Sequence, residues 1–511
     1  MSSAVANIWT TVLGSTAYNT GRIAIGSDGS IYISGGKLGT TSEADTYLTK
    51  YTPSGQKVWT TSIATTSTET GAYPAVGPDG SIYIAGVTDG ALFGTSFNGG
   101  FDSYITKYSS SGVQLWTKLF GTNAAEMADT IATSLDGSIY ISGFTDGSPD
   151  GQMNNGNYDG FLVKYNANGE KIWTRLFGTS TTDLPLDITT ATDGSIYVTG
   201  TTYGSMTGAN SGKSDVFVTK YTANGLRVWT KQFGATGDDL GMTIKTGTDG
   251  SVYIGGATDG SFDGNINSGG LDGFLTKFSA DGLKVWTKFI GTNGADGVGS
   301  LAIGIDGAIY ASGTTAGSLD GKINKGDTAG YLIKYTPDGV KIWTELIDTS
   351  SEDTALSVET SFDGSIYVSG YTEGQINGQK VIGSDIYITK FQSTNITKKV
   401  TNLSVIVDSG IIGTSAVLLK NLIETSTYTD GVVTNQVLEY AGTSFNYSDI
   451  DKLITTVTRD GEFTTEFRKE ISDLLPAAST FSYQDTVKLV GAANIDNVIL
   501  YVAGADGNFV L

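Results

Sequence analysis

The chain has 511 residues, 39% of them hydrophobic, and 70 glycines against 7 prolines, so it can bury a large core and make many tight turns. Its formal net charge of −21 disfavours nucleic acid and anionic membrane surfaces as partners, and suits a soluble protein or one that binds cations. Cysteine and histidine are both absent, which excludes disulfides, thiol nucleophiles, histidine general bases and ordinary zinc sites.

The first nine residues contain neither a basic segment nor an apolar run of signal-peptide length. No stretch of the sequence approaches the roughly 18 apolar residues of a membrane span. If the protein leaves a cell, it is therefore expected to do so by a signal-independent route or as part of a virus particle. The expected location is extracellular, on a cell surface or in a virion, without a classical signal peptide.

Tryptophan marks seven copies of one unit between the start of the chain and about residue 391. Each tryptophan begins a Trp-Thr pair, and the successive spacings are 50, 57, 57, 56, 57 and 57 residues. The seven residues are Trp9, Trp59, Trp116, Trp173, Trp229, Trp286 and Trp343.

Each unit is predicted to form four short strands. In the first unit these are residues 22–25, 31–35, 47–51 and 57–60, with an Asp-Gly turn after the first strand and a Pro-Ser-Gly turn after the third. A four-stranded meander that repeats seven times without intervening helices predicts an all-β seven-bladed β-propeller over residues 1–391. A solenoid is disfavoured, because the repeats stop at seven without an atypical capping unit.

The seventh unit has three predicted strands, which end at Phe391, and it lacks a tryptophan strand of its own. The chain opens with an unassigned tryptophan strand around Trp9. If this strand completes the last blade, every blade has four strands and the ring closes without open sheet edges.

The motifs Asp-Gly-Ser-Ile-Tyr-Ile-Ser-Gly, Asp-x-Tyr/Phe-Leu-Thr-Lys-Tyr and Gly-x-Lys-Val-Trp-Thr resemble the SBBP type of bacterial β-propeller repeat. The resemblance covers residues 1–391 and implies the propeller fold. It implies little about activity, since that family is mostly known from secreted, surface or uncharacterised proteins.

The links between strands differ in length on the two faces of the predicted disk. The 1–2 and 3–4 turns are minimal and share one face, whereas the 2–3 and 4–1 links are long and share the other. Because function usually lies on elaborated loops, we predict that the long-loop face binds the ligand. The candidate ligand-binding residues are Asp146, Asp150, Asp259, Asp263, Asp272 and Asp320.

Carboxylate and amide oxygens at short, glycine-permitted spacings suit Ca²⁺, so Asp259, Asp263 and Asp272 are a possible calcium site. The alternative is that these residues only shape turns, which use the same residue types. Further acids are expected in the 4–1 links and would allow a carboxylate-dependent hydrolase. They are Glu126, Asp129, Asp183, Asp187, Asp238, Asp239, Glu352 and Asp353. The near-identity of the units argues against one specialised catalytic site.

Three repeated residue types, tryptophan, tyrosine and lysine, are assigned structural roles. The tryptophans and the tyrosines after each Asp-Gly turn are expected to pack between blades. The lysines of the third strands are expected to be repeated surface or inter-strand partners.

The repeat is lost over residues 396–511, where we predict a small α+β domain. One helix is predicted around residues 448–457 and a second around 463–474, which Pro476 ends, followed by strands at 486–490 and 497–502. This domain is predicted to attach the propeller to a larger assembly or to drive homo-oligomerisation.

The leading functional hypothesis is a non-enzymatic binding module that recognises a glycan or protein on a cell surface. One alternative is a polysaccharide hydrolase or lyase, and another is a purely structural component of a lattice or virion. No cofactor is required by the sequence, apart from the possible Ca²⁺.

Overall fold

The computed structural model describes residues 5–13, 17–38, 44–208, 210–379, 381 and 383–393, and six strands between residues 396 and 510. The chain divides into two compact units, Met1–Gln392 and Ser393–Leu511. Helical structure among the described residues is limited to one 3-10 turn at Pro149–Gly151. No helix in this described part is long and apolar enough to cross a membrane.

The first unit contains seven four-stranded sheets, each of which forms one blade. Within a blade the strands pair antiparallel with their neighbours, and the first strands of adjacent blades contact one another around the whole ring. The first strands therefore surround a central channel, and the fourth strands form the outer rim. The predicted all-β seven-bladed propeller is confirmed.

The strands of the propeller are, in chain order, β1 (Val5–Val12), β2 (Ala17–Ile25), β3 (Ile31–Leu38), β4 (Ala44–Tyr51), β5 (Lys57–Ile63), β6 (Glu69–Val76), β7 (Ile82–Thr88), β8 (Asp102–Tyr108), β9 (Gln114–Phe120), β10 (Glu126–Thr133), β11 (Ile139–Thr145), β12 (Asp159–Tyr165), β13 (Lys171–Phe177), β14 (Asp183–Thr190), β15 (Ile196–Thr202), β16 (Asp215–Tyr221), β17 (Arg227–Phe233), β18 (Asp239–Thr246), β19 (Val252–Thr258), β20 (Asp272–Phe278), β21 (Lys284–Ile290), β22 (Asp296–Ile303), β23 (Ile309–Thr315), β24 (Ala329–Tyr335), β25 (Lys341–Ile347), β26 (Ser357–Thr360), β27 (Ile366–Thr372) and β28 (Asp385–Ser393). Blade 1 contains β2 to β5, and each following set of four strands forms the next blade, up to β25 in blade 6. Blade 7 contains β26, β27, β28 and β1.

The ring closes where β1 takes the outer position of blade 7, beside β28. The backbone N–H of Leu13 donates to the carbonyl of Ile386 at 2.9 Å, and the Thr389 hydroxyl donates to the carbonyl of Trp9 at 3.2 Å. The side-chain amide of Asn7 adds a bond to the Thr389 hydroxyl at 2.7 Å. The predicted closure through the strand of Trp9 is therefore present, and it pairs two strand edges that would otherwise be open.

Tryptophan rings pack against glycines of the neighbouring blade and so connect the blades. The Trp59 indole of blade 1 covers Gly112 in the 3–4 turn of blade 2, so closely that a Cβ on this glycine would lie 2.9 Å from the ring. The same contact joins Trp116 to Gly169, and further tryptophan–glycine pairs repeat it at successive junctions. These glycines have φ near +80°, a conformation that other residues rarely adopt. Glycine at this position thus permits both the left-handed backbone of the turn and the close approach of the indole ring.

Inside each blade, a tyrosine, a lysine and a tryptophan form a row across the second, third and fourth strands. In blade 2, Tyr83 pairs with Lys107 and Lys107 pairs with Trp116. In all seven blades the tyrosine and tryptophan ring centroids lie 5.8–6.1 Å apart. The lysine Nζ lies 5.2–5.4 Å from the tyrosine ring.

The lysine of this row also connects the turns of the tight-turn face. Lys107 Nζ lies 3.2 Å from Asp79 of its own Asp-Gly turn and donates to the carbonyl of Ala167 in the next blade at 3.2 Å. The repeated lysines and aromatic residues therefore have the structural roles that their repetition predicted.

The second unit contains one antiparallel six-stranded sheet, ordered β32-β31-β30-β29-β33-β34. Its strands are β29 (Ile396–Val407), β30 (Val417–Thr429), β31 (Val432–Tyr440), β32 (Thr443–Asn446), β33 (Tyr501–Gly504) and β34 (Phe509–Val510). The two predicted helices and the predicted strand at 486–490 lie outside the described residues. The predicted strand at 497–502 overlaps β33 in its last two residues.

We expect Gly112→Ala to lower the free energy of unfolding by about 2–4 kcal/mol, because it combines a left-handed φ with overlap against the Trp59 ring. Gly80→Ala is the matched control, since Gly80 has a similar φ of +74° and no atom of the described residues lies near its Cβ position. We expect the control to lose only the conformational part, about 1–2 kcal/mol. Denaturant unfolding measures both variants, and equal losses would contradict the inter-blade role of this contact.

Candidate functional site

Ion pairs and hydrogen bonds hold the predicted binding loops against the outer strands of their own blades. Asp150 binds Lys171 at 2.7 Å and accepts the Thr174 hydroxyl at 2.6 Å, and both partners lie on the outer strand β13. Asp263 and Asp320 make the same two bonds to the outer strands of blades 5 and 6. The 2–3 links therefore fold back over the rim, where they cover exposed strand edges.

Asp146 and Asp259 hold the 4–1 links. Asp146 accepts the backbone N–H of Ala125 at 2.8 Å, and Asp259 accepts that of Asp238 at 2.7 Å. Asp272, at the start of β20, is fully buried and accepts the N–H of Ser268 at 2.8 Å.

The three candidate calcium ligands thus have three separate structural roles. Among the described residues, no group of three or more acidic side chains is arranged to hold a metal ion, so Asp259, Asp263 and Asp272 do not come together as one. Calcium binding remains a prediction of the sequence.

Of the acids expected in the 4–1 links, Asp238, Glu352 and Asp353 do lie in these links, and the other five lie on first strands. Glu126, Asp183 and Asp239 are the first residues of β10, β14 and β18. Asp129 and Asp187 lie further along two of these strands, next to the channel, so their assignment to the links was wrong. The bulges in the first strands shift the register, and a repeat count alone does not reveal them.

The blades differ from one another most clearly in the first strands, which surround the channel. At the residue that follows the bulge, the side chains are Arg22, Tyr73, Thr130, Asp187, Thr243, Ser300 and Ser357. Two residues later they are Ala24, Ala75, Ala132, Thr189, Lys245, Ala302 and Glu359. We call the charged or aromatic members, together with the bulge residue Asp129, the channel cluster: Arg22, Tyr73, Asp129, Asp187, Lys245 and Glu359.

Contacts of the channel cluster join blades that are not neighbours. Lys245 of blade 5 binds Glu359 of blade 7 at 2.9 Å across the channel. Burial opposes the charge of Lys245, but Glu359 and Asp187 outweigh it and raise the pKa of this ammonium above its ordinary value. Lys245 is therefore held as an ammonium ion at neutral pH.

Asp187 connects three first strands. Its carboxylate accepts the Thr130 hydroxyl of blade 3 at 3.0 Å and, from blade 5, the Ile244 N–H at 2.8 Å and the Thr243 hydroxyl at 3.2 Å. The N–H of Ile188 on its own strand is a fourth donor. Several donors to one carboxylate fix its position.

Arg22 and Asp129 make fewer hydrogen bonds than Asp187 among the described residues. The Arg22 guanidinium lies 5.5 Å from the centre of the Tyr73 ring and donates to the carbonyl of Leu356 at 3.3 Å. Burial raises the pKa of Asp129 to about 7, although Arg22 opposes the shift. The channel therefore contains one carboxyl group that changes charge near neutral pH.

The mouth of the channel on the tight-turn face is apolar in three blades. The residue before each Asp-Gly turn is Ser27, Pro78, Leu135, Thr192, Thr248, Ile305 or Phe362. Leu135 and Phe362 are 75% and 73% exposed, and Ile305 is also exposed. We call these three residues the mouth residues. Exposed large apolar side chains that break a polar repeat are typical of a contact surface.

Sequence reasoning named Asp129 and Asp187 as loop acids, but it missed the rest of the channel cluster and the mouth residues because it looked for function in long loops. A column-by-column comparison of the seven units would have identified both, since each occupies a position at which the units disagree.

No protein-family model matches the chain, so the SBBP resemblance remains a prediction. The chain is 24% identical over 333 residues to the regulatory protein FlaEY of Caulobacter vibrioides, which covers 58% of this chain and 34% of that protein. It is also 24% identical over 367 residues to an uncharacterised WD repeat-containing protein of Acanthamoeba polyphaga mimivirus, covering 52% of this chain and 26% of that protein. The chain thus spans about a third or less of these relatives.

A similar solved structure is the WD40 domain of Pan2 from Neurospora crassa, at 11% identity and a TM-score of 0.42, with 77% of this chain and 97% of that chain covered. Similar solved structures include enzymes as well as non-enzymes.

We expect Asp187→Ala to lower the free energy of unfolding by about 2–4 kcal/mol, because it leaves donors of three strands without an acceptor. Asp187→Asn keeps one acceptor oxygen, and we expect about half that loss. Urea denaturation of the two variants and the wild type measures the difference. Wild-type stability of Asp187→Ala would contradict the proposed connection between blades.

Proposed function

We propose that this protein is a non-enzymatic binding propeller that takes a protein partner at the channel mouth of its tight-turn face. The observation that carries the proposal is the place where the seven blades differ. Repeated residues have structural partners inside the ring, whereas the mouth residues and the channel cluster break the repeat. A single partner needs such a non-repeating surface, because seven identical blades would present seven identical sites.

The chemistry of this surface suits a protein partner. Leu135, Ile305 and Phe362 supply exposed apolar contacts around a channel that contains both cationic and anionic side chains. Interfaces commonly combine apolar anchors with a few fixed polar groups. The mixed charge in the channel could orient a polar side chain of the partner. One of the sequence relatives is a regulatory protein and another has WD repeats, which is consistent with binding as the activity.

The long-loop face is a weaker candidate in this proposal. Asp150, Asp263 and Asp320 are already paired with lysines, and Asp146 and Asp259 hold backbone N–H groups. A cell-surface glycan, an extracellular or virion location, and assembly through residues 396–511 remain predictions of the sequence.

Peptide display against the full-length chain tests the proposal. Peptides selected from a random library on the wild type are measured against Leu135→Ser/Phe362→Ser by calorimetry. We expect a loss of about 30-fold or more in affinity, as for the loss of interface anchors.

The matched control is Met153→Ser/Ile266→Ser, which removes two side chains that are 78% and 80% exposed on the rim loops. We expect this control to retain wild-type affinity within about twofold. Selection of no peptide, or binding lost only in the loop variant, would overturn the assignment to the mouth.

A further inference from the structure

Pairs of buried acidic residues lie between neighbouring blades at the long-loop end of the ring. One member opens the third strand of a blade, and the other opens the first strand of the next blade. Asp102 pairs in this way with Glu126, and Asp159 pairs with Asp183. All four residues are fully buried. A Cβ on Gly178 would meet Oδ1 of Asp159 and Oδ2 of Asp183 together, so these two carboxyl groups are close neighbours.

The two members of a pair have different surroundings. Glu126 accepts the N–H and the hydroxyl of Thr122, at 2.5 and 2.9 Å, and the hydroxyl of Thr145 at 2.6 Å. Asp102 accepts only the N–H of Asn98, at 3.1 Å, through Oδ2. Its Oδ1 has no hydrogen-bond partner among the described residues.

The second pair repeats this asymmetry. Asp183 accepts the N–H and hydroxyl of Thr179 and the hydroxyl of Thr202. Asp159 accepts the N–H of Asn155 through Oδ2, and its Oδ1 lacks a partner in the described part of the chain. In each pair, one acid accepts three hydrogen bonds, and the other has a buried oxygen that lacks a partner among the described residues.

A buried carboxylate oxygen without a partner is costly, so either a proton or a cation should accompany it. A cation such as Ca²⁺ needs six to eight oxygen ligands. The neighbours that the structure places on Glu126 and Asp183 are N–H and O–H groups that already donate to these acids. These donors do not supply the many oxygen ligands that a cation needs, so a proton on Asp102 and Asp159 is the simpler partner for the buried oxygens.

Blade 6 keeps a carboxyl group at this position, although the residue that supplies it differs from the other blades. Ala329 replaces the third-strand aspartate there, and Asp348 replaces the glycine that follows the fourth strand in blades 2 to 5. The Asp348 carboxylate accepts the N–H of Lys325 at 3.2 Å, the same donor position that Asn98 has in blade 2. The ammonium of Lys325 also lies 3.1 Å from Asp348. A carboxyl group thus reaches the same place from another strand, with a positive charge beside it.

We propose that Asp102 and Asp159 bind protons in the folded ring and donate them through Oδ1 to Glu126 and Asp183, so that acidity strengthens these blade junctions. Each junction then carries one negative charge instead of two. The ionised state would place two like charges together in a buried site.

The charges around Asp102 agree with this assignment. Burial raises the pKa of Asp102 to about 6, and the charge of Glu126 adds to the shift. Burial and the charge of Asp183 likewise raise the pKa of Asp159. Because the pKa is higher in the folded than in the unfolded chain, the stabilisation is complete below about pH 4. For Asp102 it is lost as the pH rises through about 6.

The test compares the full-length wild type with Asp102→Asn/Asp159→Asn, whose amide N–H groups imitate the protonated acids. We expect the variant to melt a few °C above the wild type at pH 7.5, and this difference to become clearly smaller at pH 5. Infrared spectra provide a second measurement, since the band of protonated carboxyl groups at pH 5 should be weaker in the variant.

Glu126→Gln is the matched control, because it removes the negative charge and one of the two acceptor oxygens of the acceptor side chain and leaves the proton donor Asp102 in place. We expect it to lower the melting temperature at both pH values. A difference between wild type and the double variant that does not change with pH would overturn the proposal. Stabilisation of the wild type, but not of the double variant, by CaCl₂ at pH 7.5 would also overturn it, in favour of a cation site.

Discussion

Pairing of β1 with β28 is the constraint on which the rest of the propeller depends. It joins residues that are more than 370 positions apart in sequence, such as Asn7 and Thr389, and it makes every blade four-stranded. With the ring closed, each blade has two neighbours, and the repeated contacts between blades can form around the whole circle. The entropy of closing so long a loop is offset by these repeated contacts, which a single blade could not make.

The closed ring separates two kinds of residue. Repeated residues serve the junctions: the tryptophan on its glycine, the lysine between tyrosine and aspartate and, in most blades, the acids between strands. Residues that differ between blades gather in the channel and at its mouth, where no neighbouring blade imposes the same contact. The channel cluster, with the ion pair of Lys245 and Glu359, is possible only because the ring brings first strands of different blades together.

The candidate site was predicted less well than the fold. Asp150, Asp263 and Asp320 were candidate ligand-binding residues because they lie in long, acidic loops. The structure shows each of them bound to a lysine and a threonine of the outer strand. Loop length and acidity could not distinguish these bonds from a ligand site, because the partners lie 21 and 24 residues further along the chain.

The sequence by itself determined the number of blades, the four strands of each, and the closing role of the strand around Trp9. These follow from the local strand periodicity and the turn residues, which are present in each unit and recur along the chain. Only the tertiary structure decided which acids share a junction, which side chains line the channel, and which face carries exposed apolar residues. Those features depend on distances between blades, and neighbours in space such as Lys245 and Glu359 lie 114 residues apart in sequence.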